Sequence, residues 1–414
     1  MDWNIDLKQM LATTAPLIQR GELMQATQAI QRALGARTAH FPMPASAAPG
    51  TSAAPARAQR AWHAGQAADV QDVEVVERAG PRDRVNAASA ADAAGAAVAA
   101  QPSDAQAPGS FERIAFSAPG GAPQDHYWLY VPPRAASATA QPMALVLMLH
   151  GCTQNPQDFA TGTAMNDLAR TANALVLYPA QAQQANPKGC WNWFRPEDQL
   201  RGAGEPATLV AMVRDVMRRH PVDERLVYVA GLSAGGAMAA LLAREYPEVF
   251  AAAGVHSGLQ PGAARNVMGA LSAMKNGAKL SPAPVAPMHA GQALPALIVF
   301  HGDADRTVDA RNAEQLVQAA LAARGHAPGE AARAVQSGQS AAGQRYTRTR
   351  YTAAASPPAG SQPGPSGTLV EQWTLHGAGH AWSGGDARGS HTDPRGVNAS
   401  QEMLRFFMEH PRRR

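Results

Sequence analysis

Five short apolar runs, MALVLMLH (143–150), ALVLYP (174–179), RLVYVAG (225–231), FAAAGVHSG (250–258) and ALIVFHG (296–302), show almost no polar alternation. Runs of this length are expected of strands covered on both faces, as in a parallel sheet. Two earlier segments, FERIAFS (111–117) and HYWLYVP (126–132), alternate instead and predict half-buried antiparallel strands. Helix-period stretches separate the runs at 157–173, 204–219, 234–246 and 308–324. LVEQWTLHG (369–377) reads as the last strand and NASQEMLRFFMEH (398–410) as a closing helix. Alternating β and α units with an antiparallel start imply an α/β class domain, a mostly parallel sheet with helices on both faces. Segment 326–367, rich in Gly, Ser, Gln and Pro around the single strand-like RYTRTRYTA, is expected to be a surface excursion.

The pattern before residue 111 is different. Leu7, Met10, Leu11, Leu17 and Ile18, then Leu23, Ala26, Ile30 and Leu34, are spaced as two amphipathic helices turning near Gly21. A helical hairpin over 1–35 is therefore expected, with residues 4–34 open to docking, self-association or a partner. Residues 36–110 are mainly Ala, Pro, Gly, Gln and Ser, a composition that buries too little surface to offset chain entropy, and are expected to be a disordered linker. The strand-like DVEVVER (72–78) within it is left unassigned. A catalytic domain over 111–414 follows.

Composition narrows the class of function. The 36 Lys and Arg against 32 Asp and Glu leave +4, three of it in Arg412–Arg414, so no basic face for nucleic acid is expected. No stretch approaches the roughly 18–20 apolar residues of a membrane span. Asp2 and Asp6 stand where an export signal would be positive, which favours the cytoplasm. Cys152 and Cys190 are the only cysteines, too few for a disulfide framework or an all-cysteine zinc site.

The candidate chemistry begins at Gly231-Leu232-Ser233-Ala234-Gly235, a G-x-S-x-G pattern between a buried strand and a helix. That context favours Ser233 as a nucleophile on a tight turn over a simple helix N-cap. A serine hydroxyl needs a base, and the base needs an acid to fix its tautomer; here the expected order is Ser, acid, His. Asp305, after ALIVFHG, is the favoured acid, with Asp303 stabilising the turn and Asp309 capping the next helix. His380, in GAGHAWSGG, is the favoured base, and His376 reads as a supporting residue. Backbone N–H groups must also face the developing oxyanion. Ala234 would supply one; the other comes from HGCTQNPQDF, with Cys152 ahead of Thr153. The mechanism requires neither an organic cofactor nor a metal.

LHGCTQNPQDFATGTAMNDLA (149–169), LVLYPAQ (175–181), CWNWF (190–194), GLSAGGAMA (231–239) and GAGHAWSGG (377–385) together resemble the poly(3-hydroxybutyrate) depolymerase-type esterases, relatives of feruloyl and acetyl-xylan esterases with the α/β-hydrolase fold. The resemblance covers roughly 111–411. It implies the same roles for Ser233, Asp305, His380, Cys152 and Ala234, and a disulfide between Cys152 and Cys190. Trp191, Trp193 and Trp382, with His150, would then line the mouth of a substrate site. It also implies an extracellular setting, against the reading of the N-terminus. The expected activity is hydrolysis of hydroxyalkanoate esters through an acyl-enzyme. A feruloyl- or acetyl-type esterase is the alternative within the fold, and a non-catalytic granule- or partner-binding protein the alternative outside it.

Overall fold

The computed structural model describes residues 109–122, 124–133, 141–279, 294–326, 329–352 and 367–412. The expected N-terminal hairpin and almost all of the expected linker, DVEVVER included, lie outside the described residues.

Strands β1 (Ser110–Ala115), β2 (His126–Val131), β3 (Met143–Leu149), β4 (Ala174–Pro179), β5 (Val222–Leu232), β6 (Ala252–His256), β7 (Ala296–Gly302), β8 (Ala332–Gln339), β9 (Arg345–Thr352) and β10 (Thr368–Leu375) form one ten-stranded sheet in the order β1-β2-β4-β3-β5-β6-β7-β10-β9-β8. The six central strands, β4 to β10 in that order, are parallel. The flanking pairs β1–β2 and β9–β8 are antiparallel. The continuous apolar runs are therefore the parallel centre, as their lack of alternation requires.

Parity divides each run between two cores, because successive side chains on a strand point to opposite faces. Leu145, Leu147 and Leu149 join one core with Val227, Val229, Val255 and Val299. Helices α3 (Gly204–Arg219), α4 (Ala234–Glu245) and α6 (Arg311–Ala322) cover that face through Leu209, Val213, Met238, Leu242 and Leu316. Val146 and Met148 join the other core with Tyr228, Ile298 and Phe300. There they meet α1 (Pro156–Thr163), α2 (Met165–Thr171) and α7 (Ala399–Glu409), whose Phe407 stacks on Tyr228 at a centroid distance of 4.9 Å. This is the three-layer α/β arrangement of the α/β-hydrolase class.

Three local expectations change. The helix expected over 157–173 is two helices, broken where Ala164 takes a left-handed φ of 49°. At the break Gly162 packs on Gly389 and Thr392, so a contact distant in sequence sets it. The helix expected from 308 starts at Arg311, since the Thr307 and Val308 N–H groups are turned onto the Asp305 carboxylate. Residues 332–352 are not a surface excursion but the β8–β9 hairpin extending the sheet. Strand β8 is exposed along nearly its whole length, so it carries no apolar alternation by which the sequence would reveal it. Helix α5 (Val267–Asn276) escaped notice for a similar reason, as Val267, Met268 and Leu271 face outward.

Docking of α7 rests on a few large rings, and Phe407 has no solvent exposure. Phe407→Ala is expected to cost about 3–5 kcal/mol by loss of burial plus the cavity left behind, measured by urea unfolding. A loss below about 1 kcal/mol would mean that the helix is not anchored there.

Candidate active site

The turn between β5 and α4 brings Ser233 to the carboxyl end of the parallel strands, with φ 57° and ψ −117°. A side-chain-bearing residue in this region is strained and persists only where the surroundings enforce it. They do so by contact. A Cβ on Gly231 would fall on the Gly235 carbonyl, and one on Gly235 would fall on the carbonyls of Leu149 and His150 at the end of β3. The small residues around the serine are thus imposed by packing of the turn against itself and the neighbouring strand. The Ser233 N–H is tied to His256 O at 2.9 Å, and its carbonyl accepts the Ala237 N–H, also at 2.9 Å.

The loop after β7 carries Asp305. Its Oδ1 accepts the N–H groups of Thr307 (2.8 Å) and Val308 (2.9 Å), and its Oδ2 accepts His380 Nδ1–H at 2.6 Å. His301 Nε2, which donates to Val308 O at 2.8 Å, lies 3.5 Å from the same Oδ2. Burial opposes ionisation of this carboxyl, but the hydrogen bonds from His301 and His380, the His380 charge and the Val308 N–H outweigh it and hold it well below the usual carboxylate range. An ionised Asp305 receiving Nδ1–H leaves His380 Nε2 free to accept a proton. The favoured acid and base are therefore paired.

Asp303 is paired elsewhere. Its two oxygens take His376 Nδ1 at 2.8 Å and the Gly377 N–H at 2.6 Å, and His376 Nε2 meets Thr347 Oγ1 at 2.9 Å. It ties the loop after β7 to the turn after β10. Asp309, expected to cap the next helix, stands one residue before the N-cap position, Ala310, which has no side-chain cap bond; its Oδ1 accepts the Arg311 N–H at 3.0 Å.

His256, which the sequence reading passed over, joins the two halves of the site. Its carbonyl holds Ser233, and its ring Nε2 accepts the N–H of Ser383, three residues beyond His380, at 3.1 Å. Among the described residues no hydrogen bond links Ser233 Oγ itself to His380. The ring lies between Phe300 and Trp382, without solvent exposure. Burial, with the nearby His301 and His380, lowers its pKa to about 3, so it stays the neutral acceptor that Ser383 needs. The available signal for His256 and His301 was a polar residue ending an otherwise apolar buried run.

Cys152 and Cys190 form a disulfide, Cα–Cα 4.2 Å, joining the loop after β3 to the 190–194 segment. Among the described residues neither the Cys152 N–H nor the Ala234 N–H has an acceptor, whereas the Thr153 N–H is taken by Lys188 O at 2.8 Å. Of the two alternatives in this loop, the N–H of Cys152 is thus the free one.

The residues expected to line a substrate mouth lie in the core. Trp191, Trp193, Trp382 and His150 are all 5% exposed or less. The bridge turns segment 190–193 inward, where Trp191 packs on His150 at 5.5 Å. Trp382 packs edge-on to Phe159 and donates Nε1–H to Ser400 Oγ at 3.0 Å. His150 donates Nδ1–H to Gly151 O and accepts the Gln181 N–H on Nε2, and burial lowers its pKa to about 4. Spacing cannot tell an aromatic that faces a cleft from one that fills the layer beneath it. No helix among the described residues is long and apolar enough to cross a membrane.

A model of the esterase PHB depolymerase family matches residues 125–342, about half of the chain. Poly(3-hydroxyalkanoate) depolymerase C of Paucimonas lemoignei is 34% identical over 180 residues, 42% of this chain and 43% of that protein. Feruloyl esterase B of Neurospora crassa is 32% identical over 133 residues, 32% and 43% of the two chains. Matches to these two curated relatives thus span less than half of their length. An acetyl xylan esterase from Aspergillus awamori shares the fold at a TM-score of 0.54 and 19% identity, covering 73% of this chain and all of that one.

Two outcomes test this geometry. Gly235→Ala drives a methyl group into two backbone carbonyls, and is expected to abolish accumulation of folded protein or lower its melting temperature by more than about 10 °C, given 2–4 °C per kcal/mol at this size. A variant with unchanged melting temperature would contradict the packing. His256 has an ordinary value of 6.5 and about 3 in the fold. Between those values the unfolded chain binds more protons, and the group withdraws stability as pH falls. From pH 7 to pH 5 His256 should account for about 1–2 kcal/mol of lost stability, so His256→Asn should lose correspondingly less than wild type over that interval in urea unfolding. Equal losses would overturn the assignment.

Proposed function

Because the chain belongs to the esterase PHB depolymerase family, we propose that it is a serine hydrolase of carboxylic esters working through an acyl-enzyme, with hydroxyalkanoate esters as its substrate class. The observation that carries the reading is the bond at 2.6 Å between buried Asp305 and half-buried His380, beside a strained serine turn whose N–H shares His256 with the histidine loop. The substrate class is supported by the family match and by the name of the Paucimonas relative.

In this reading His380 Nε2 takes the Ser233 hydroxyl proton as Oγ attacks the ester carbonyl carbon. The C=O electron pair moves onto oxygen, which the Cys152 and Ala234 N–H groups stabilise. Collapse of the tetrahedral adduct breaks the bond to the alcohol oxygen, which leaves with the proton held by His380. Water, deprotonated by the same ring, then attacks the acyl-enzyme and returns the proton to Ser233 as the acid departs. Asp305 remains ionised throughout, fixing the tautomer and stabilising the imidazolium.

Ser233→Ala is expected to lower the rate on p-nitrophenyl butyrate by at least about 1000-fold. Asp305→Asn should lower kcat by about 1000-fold or more through the wrong tautomer, while Asp303→Asn should stay within about twofold. A reversed order for the two aspartates would reassign the acid. A panel of 3-hydroxybutyrate oligomers, methyl ferulate and acetylated xylo-oligosaccharides tests the substrate class: a kcat/KM highest for either of the latter two replaces hydroxyalkanoates with a feruloyl- or acetyl-type ester.

A further inference from the structure

Glu205, 5% exposed in the first turn of α3, takes no part in these steps, yet it is built into the surroundings of the candidate oxyanion loop. Its carboxylate accepts three N–H groups: Gln181 Nε2 (2.5 Å) and Asn192 Nδ2 (2.6 Å) on Oε1, and the Asn192 backbone N–H (2.7 Å) on Oε2. Backbone partners settle the direction of both amides. Gln181 Nε2 also donates to Cys190 O and its Oε1 accepts the Ala182 N–H, while Asn192 Nδ2 donates to Ala185 O. The carboxyl group therefore faces donors alone, an arrangement that fits its ionised form.

That arrangement does not favour stability by itself. Among the described residues no cation pairs with Glu205, in contrast to Glu371, which is held by Arg348 and Arg405. Burial, with the charge of Asp198 adding, pushes its carboxyl up to about 7, and Asp198 in turn accepts the Glu205 N–H at 2.7 Å. A cavity of about 560 Å³, lined by Asn192, Arg195, Glu197, Asp198 and Glu205 among others, adjoins it. A buried carboxylate without a counter-ion is costly, and an apolar residue of similar shape would usually serve stability better. Its three donors nonetheless all come from one stretch, residues 181–192.

This stretch reaches the loop after β3 by three routes. Cys190 is bonded to Cys152, the Gln181 N–H is held by His150 Nε2 at 3.3 Å, and Lys188 O holds the Thr153 N–H. We propose that Glu205 is a positioning residue for the reaction: it fixes segment 181–192 and, through the Cys152–Cys190 bridge, aims the Cys152 N–H at the developing oxyanion. The assignment rests on the reading of Cys152 as an oxyanion donor. A misplacement of one donor by a fraction of an ångström acts on the transition state more than on the bound ester, so its signature lies in kcat, not KM.

The test is a double-mutant cycle on p-nitrophenyl butyrate with wild type, Glu205→Gln, Cys152→Ser/Cys190→Ser and the triple variant. Glutamine keeps the shape but sets an NH2 against the Asn192 N–H. Glu205→Gln is expected to lower kcat about tenfold with KM within about twofold, and to remove less than about twofold more once the bridge is absent. A kcat within twofold of wild type, or a tenfold loss that persists without the bridge, overturns the assignment. Should Glu205→Gln not fold, Asn192→Ala removes the Nδ2 donor and is judged by the same criteria; dithiothreitol-reduced wild type replaces the serine pair if that pair does not fold. Ser233→Ala in the same assay separates the two readings. If it retains activity, the esterase reading fails and takes the Glu205 assignment with it, whereas if it is inactive and the cycle is additive, only the Glu205 assignment fails.

Discussion

Two backbone carbonyls at the end of β3, those of Leu149 and His150, occupy the space where a side chain on residue 235 would begin, and the Gly235 carbonyl in turn closes off residue 231. This contact forces the chain to leave β5 and enter α4 with no room for side chains at residues 231 and 235, two positions before and after Ser233. The serine is left in a conformation that few side-chain-bearing residues adopt, projecting from the carboxyl edge of the sheet. The strain is sustained by the apolar cores on either side of β3, β5 and β6, which cannot shift without opening voids. The position of the hydroxyl is thus a consequence of core packing.

Around that fixed point the buried titratable groups are held in one charge state each. Asp305 is held ionised by four donors, His256 and His150 are held neutral by burial, and His380 is joined to the one and lies beside another. Burying His256, His150 and the Asp305 carboxylate is tolerable because both ring nitrogens of each histidine and both carboxylate oxygens find partners; unsatisfied, each such atom would cost on the order of 1–3 kcal/mol. His256 serves as a junction because its backbone carbonyl holds the serine turn and its ring Nε2 the segment after His380. Displacing either loop would disturb the other.

The loops after β3, β4 and β10 add covalent and polar restraint to the aromatic side chains that they send into the cores. Here the restraint is the disulfide, the Lys188–Thr153 bond, and the side chains of Gln154 and Asp158, which bind Ser390 in the loop beyond His380. Loops from three places in the chain, after β3, after β4 and after β10, are thereby tied into one frame. Trp191 and Trp382 fill the interior of that frame and hold it from within.

Much of this was legible in the sequence, and the reason is that the legible features are local. Continuous apolar runs mark buried parallel strands, glycines around Ser233 mark a turn without room for side chains, and the order of serine, acid and histidine along the chain follows from the order of the strands. What remained hidden depends on meetings between distant segments. Whether Trp191, Trp193 and Trp382 faced a cleft or filled a core could not be read from spacing, since both situations ask for the same apolar ring. His256, His301 and Glu205 carry no motif, because their roles come from neighbours 13 to 127 residues away or from a turn of backbone. Strand β8 was invisible because an exposed edge strand buries no face and leaves no period. The sequence by itself determined the kind of sheet and which residues were candidates for the chemistry. Only the tertiary structure decided which polar groups lie buried together, since burial and hydrogen-bond direction are properties of three-dimensional neighbours, and these set the charge on each side chain.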